Sequence, residues 1–193
     1  GQAEDLKLAL KAGMLCTSAE LNKEDGQYKV LGEATEGALL TAGRKAGFSK
    51  ESLKEEGYQQ LAEIPFSSDN MYMAVAYATP ESEEHLYLKG SPDVVLEMCN
   101  SILIDGEIKE LSEDKKDKIR KANKKFGEEG LRILGVAFNA GENLNSEEEL
   151  KENIEEGLTF LALTAIIDPP RQSVIKAIKD TKKIKSFVLS KVN

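Results

Sequence analysis

The run Lys89-Gly90-Ser91-Pro92-Asp93 has the makings of an anion-binding corner. Lys89 supplies a mobile cation, and glycine at position 90 lets a ligand come close to the backbone. Arg132 brings a planar guanidinium that can give a phosphate two parallel hydrogen bonds. Phe66, directly after Ile64-Pro65, could present a ring on which a nucleobase stacks without base-specific hydrogen bonds. Each residue also has a plainer reading. Phe66 and Leu134 could be core residues, Lys89 an exposed strand end, and Arg132 half of a surface salt bridge. Glu36 could simply be a carboxylate that suits a helix N-terminus.

These side chains need a frame. His85-Leu86-Tyr87-Leu88-Lys89 alternates like a half-buried strand, and Ser91, Pro92 and Asp93 supply the cap, first residue and first-turn acid of a helix over 92–99. Met71, Met73, Val75 and Tyr77 alternate within 64–77, which should pair with 85–89 as an antiparallel hairpin. A helix beginning near Leu6 is followed by a polar loop, and a short strand over 28–31 leads to Gly32. Thr35 is expected to cap a helix over 36–45, which puts Glu36 in its first turn. Asp105-Gly106 suits a tight turn between strands at 102–104 and 107–109. Ser112 opens a long helix with Ile119, Ala122 and Phe126 on one face, and Gly130 closes it. A strand over 131–138 then sets Arg132 and Leu134 on a shared face. Ser146 and Glu149 form a capping box, and 158–167 is a continuous apolar strand. The order predicts an α+β fold with a mainly antiparallel β-sheet flanked by helices.

Composition narrows the function. A net charge of −8 disfavours a nucleic-acid partner, which needs a basic face. No apolar run nears the roughly 20 residues of a membrane span, so direct membrane contact by these residues is not expected. The cysteines, Cys16 and Cys99, sit among apolar neighbours and read as buried small hydrophobes in a reducing compartment. His85, the single histidine, reads as satisfied or solvated rather than as a catalytic base. No metal-ligand cluster and no Gly-x-x-x-x-Gly-Lys-[Ser/Thr] loop is present.

Taken in order, Gly32-Glu33-Ala34-Thr35-Glu36-Gly37-Ala38-Leu39-Leu40, Ile64-Pro65-Phe66-Ser67-Ser68-Asp69, Lys89-Gly90-Ser91-Pro92-Asp93, Gly130-Leu131-Arg132-Ile133-Leu134 and Asp168-Pro169-Pro170-Arg171 resemble the nucleotide-binding domain of P-type cation-transporting ATPases. The resemblance runs from about position 10 to 171, and Val94–Cys99 with Asp105-Gly106-Glu107-Ile108 look most like the prokaryotic calcium-pump branch. It implies an ATP site in which Phe66 stacks on the base and Glu36 accepts from the adenine amino group. Lys89 and Gly90 would line the base and ribose, Leu134 would close the apolar wall, and Arg132 would hold the phosphates.

By the same resemblance, residues 1–167 form the nucleotide-binding domain and 168–193 a hinge with part of a phosphorylation domain. The implied setting is the cytoplasmic part of an integral membrane pump, with Mg-ATP as substrate of the intact protein. Its partners would be the phosphorylation and actuator domains of the same polypeptide. The phospho-acceptor motif Asp-Lys-Thr-Gly-Thr is absent, so no catalytic residue is assigned here. Ser68 and Met71 stand where relatives carry basic residues, which keeps open a second reading as a non-catalytic interaction module with a degenerate pocket. Sodium, proton or magnesium pumps are alternatives within the family.

Overall fold

The computed structural model describes residues 1–24 and 27–167. In chain order it contains α1 (Gln2–Leu15), β1 (Glu20–Glu24), β2 (Gln27–Leu31), α2 (Ala34–Lys45), α3 (Lys50–Glu55), β3 (Gln59–Ile64), β4 (Tyr72–Ala78) and β5 (Glu84–Gly90). There follow α4 (Pro92–Glu97), β6 (Cys99–Ile104), β7 (Glu107–Glu110), α5 (Glu113–Glu128), β8 (Arg132–Gly141), α6 (Glu147–Glu156) and β9 (Leu158–Ile166).

Apart from the β1–β2 hairpin, the strands form one sheet in the order β3-β4-β5-β8-β9-β6-β7. Every pairing in it is antiparallel except β6 with β9. Strand periodicity divides its side chains between two cores. Met73, Tyr87 and Val136 face α1–α3 and meet Met14, Leu15, Leu40 and Leu53. Leu86, Leu88 and Leu158 face the other way, against Val95, Leu96, Leu150 and Ile154 of α4 and α6. Each fully buried large aliphatic side chain contributes about 1.5–3 kcal/mol, so both layers hold the sheet firmly.

The α+β expectation therefore holds, with helices on both faces. The Asp105-Gly106 turn is of the primed kind, since both residues have positive φ, 56° and 82°. Several local expectations need correction. The polar loop after α1 contains β1, whose residues are almost all exposed and so lack an apolar alternation. Thr35 is not the cap: Gly32, at φ 122°, turns tightly against Ala19, and the helix starts from Glu33 instead. Ser91 and Ser112 occupy cap positions without making the side-chain bond. At Ser146 the hydroxyl accepts from Glu149 N, and the Glu149 carboxylate answers to Asn145 N and the Ser146 hydroxyl. The boundary expected at Asp168-Pro169-Pro170 lies outside the described residues.

Candidate functional site

At one end of the sheet β4 and β5 stop together, with Tyr72 opposite Gly90, while β8 runs on past Gly135, the partner of Gly90, out to Arg132. The β3–β4 loop, the α1–β1 loop and the start of α2 surround that end and border an open cavity of about 480 Å³. That volume suits a small organic ligand. Glu36, Phe66, Lys89, Gly90, Arg132 and Leu134 all line it.

Lys89 is buried rather than a solvated strand end. β5 is an interior strand, and Lys89 lies between Met73 of β4 and Val136 of β8 on the α1–α3 side of the sheet. Its ammonium donates to Glu36 Oε1, and the two side chains are only 8% and 14% exposed. Glu36 Oε2 accepts from Ser18 N at 3.1 Å and Ala19 N at 2.9 Å. One carboxylate thus ties together the α1–β1 loop, α2 and β5. It has about four acceptor directions, of which these donors take three, leaving one for a ligand donor.

Gly90 answers a need of the chain itself. A Cβ there would stand 2.5 Å from Met71 O and 2.7 Å from Tyr72 Cβ, so the room expected for a ligand is filled by the neighbouring strand. Ser91 N then donates to Met71 O at 2.9 Å, fixing the β3–β4 loop to the start of α4. Phe66, in that loop, is 60% exposed, so it is not a core residue; its ring stands at the cavity without a packing role. Arg132 is exposed at the start of β8 and makes no ion pair among the described residues. Leu134 is half-buried two residues further along the same strand face.

Ser18, Pro65, Met71, Pro92 and Ile133 also line the cavity and were not singled out as ligand contacts from sequence. Ser18 carries no local signal, because the Glu36 carboxylate alone brings it there. Met71 has a left-handed backbone, φ 59°, that its residue type does not announce.

Elsewhere, His85 is satisfied. Its Nδ1 is 3.2 Å from the Tyr87 hydroxyl, its ring packs edge-on against Phe138, and burial lowers its pKa. Cys16 donates to Met73 O, and burial pushes both thiols up to about 12, as suits inert small hydrophobes. Among the described residues no group of three His, Cys, Asp or Glu side chains is placed to hold a metal, and no helix is long and apolar enough to cross a membrane.

The fold and the cavity define an α+β domain with an open cavity at one end of its central strands. Residues 5–173 match the family described as P-type ATPase, cytoplasmic domain N, and the chain belongs to that family. It is 37% identical over 178 residues to a calcium-transporting ATPase of Bacillus subtilis, covering 91% of this chain and 19% of that protein. It is 34% identical over 188 residues to calcium-transporting ATPase 1 of Lactococcus lactis, covering 96% and 21%. Likeness to the cation-transporting ATPase pma1 of Synechocystis is 36% over 182 residues, covering 90% and 18%. The chain thus spans about a fifth of the length of these relatives.

Proposed function

We propose that this chain is the ATP-binding part of a P-type calcium pump and presents ATP for phosphoryl transfer to an aspartate elsewhere in the pump. Calcium as the cargo rests on the names of the Bacillus and Lactococcus relatives. The observation that carries the nucleotide reading is the Phe66 ring, exposed at a cavity that also gathers Lys89, Arg132 and Leu134.

In this reading the base stacks on Phe66 and its amino group meets the remaining acceptor direction of Glu36. Leu134 walls the base, the stem of Lys89 lies beside base and ribose, and Arg132 takes phosphate oxygens. The chain contributes binding and orientation. Holding ATP on a domain joined to the acceptor converts a bimolecular encounter into an intramolecular one. Residues 168–193 would serve as hinge and entry to the phosphorylation domain, which with the actuator domain would be the partner. In the intact pump the nucleotide would arrive as Mg-ATP, with magnesium carried by the phosphates, and no residue of this chain is assigned to the ion.

The test is calorimetric titration of the chain with ATP. Phe66→Ala should cost about 1–3 kcal/mol of binding while the unfolding midpoint stays unchanged. Equal affinity in a folded variant would remove Phe66 from the site. The chain should release no phosphate and take up no label from γ-labelled ATP, because the acceptor motif is absent. A second reading, an interaction module with a degenerate pocket, is favoured by Ser68 and Met71 standing in place of cations. It predicts no ATP-induced amide shifts at Phe66 and Lys89.

A further inference from the structure

We propose that Met71 is a base-contacting residue which, with Phe66, makes the nucleoside rather than the phosphates the main handle of this site. The inference rests on the adenine-nucleotide reading above. Of the exposed large apolar side chains among the described residues, only Phe66 and Met71 line the cavity, at 60% and 43% exposure.

The backbone holds Met71 there. Its N–H donates to Ser67 O at 2.9 Å and its carbonyl accepts from Ser91 N at 2.9 Å, while the missing side chain of Gly90 lets that carbonyl in. Between these anchors Met71 is fixed at φ 59°, although Asn70 beside it is the residue type that takes such angles more readily. A strained angle at a cavity rim, carrying an exposed apolar side chain, is the arrangement expected where the side chain has work at the site. A thioether is flexible and polarisable and contacts aromatic rings favourably, so it can close over a purine already stacked on Phe66.

Charge points the same way. The cations lining the cavity are Lys89 and Arg132, and the anions are Glu33 and Glu36, so the lining carries no net positive charge to attract a triphosphate. Lys89 is also engaged by Glu36. Arg132 is left as the phosphate contact, and it is exposed, where screening keeps a single charge weak.

Calorimetry on the whole chain with ATP, AMP and adenosine tests the idea. Wild type should bind ATP and adenosine within about fivefold of each other, the value of one exposed charge contact. Met71→Ala should weaken all three ligands alike by about three- to tenfold, and Met71→Leu should restore most of the loss. Met71→Lys should raise ATP over adenosine by about fivefold and should weaken adenosine. Unchanged adenosine affinity in folded Met71→Ala overturns the proposal, and so does a wild-type preference for ATP over adenosine of about a hundredfold. If wild type binds none of the three, the nucleotide reading itself falls. If ATP binds and Met71→Ala changes nothing, that reading stands and only the role of Met71 is lost.

Discussion

Replacing Glu36 by alanine should destabilise the domain far more than a surface carboxylate would. The change leaves the Lys89 ammonium without a partner in a site where its side chain is 8% exposed, and leaves Ser18 N and Ala19 N without their acceptor. Removing one partner of a buried pair costs about 3–5 kcal/mol. Lost hydrogen bonds to the carboxylate would add to that, but Ser18 is exposed and lines the cavity together with Lys89, so water can reach both. The lower end, about 3 kcal/mol, is therefore expected, a large share of the 5–15 kcal/mol typical of a domain. Urea unfolding followed by circular dichroism measures it directly. Lys89→Met and the double variant complete a cycle, in which the pair should show a coupling of about 1–3 kcal/mol. A loss below about 1 kcal/mol for Glu36→Ala, or strict additivity in the cycle, would refute the view that these groups act as one buried unit.

Arg132→Ala should weaken ATP binding by about fivefold and leave adenosine unchanged; equal losses for both ligands would mean that the arginine shapes the pocket instead. Gly90→Ala should lower stability by about 1–3 kcal/mol, because the new methyl meets the Met71 carbonyl and Tyr72 and must push strand backbone aside. An unchanged melting temperature would show that the two strands can part there without cost.

The elements most legible in the sequence have a buried face or a turn signal beside them, and the exposed β2 and β7 are also foreseen, at 28–31 and 107–109. The hairpin of β4 and β5, the Asp105-Gly106 turn and the continuous apolar strand β9 follow from periodicity and turn chemistry. β1 and the outer part of β3 face solvent, and β3 also carries a bulge between Gln60 and Ala62, so neither shows a clean alternation. α3 is a single short helix announced only by the Ser49 and Ser52 capping pair. The residues expected at a site can each be named from the sequence, but the connections between them cannot. Glu36 and Lys89 lie 53 positions apart, and nothing local says that one neutralises the other. The same holds for Gly90, whose small size looks like space for a ligand until the Met71 carbonyl is seen to fill it.

α1 gives the chain a particular order of assembly. It runs across the sheet from the β6–β7 turn, where Asp5 accepts from Gly106 N, over β9 and β8 to β5 and the cavity. The Asp5 to Gly106 bond spans 101 positions, and the strands α1 covers are not all present until β9 has formed at residues 158–166. Closing such distant contacts costs chain entropy that only a largely built sheet can offset. A helix near the start of the chain is therefore among the last to dock. Because its end delivers Ser18 and Ala19 to Glu36, the cavity is complete only once α1 has docked, and a chain that has built the sheet without α1 lacks that wall.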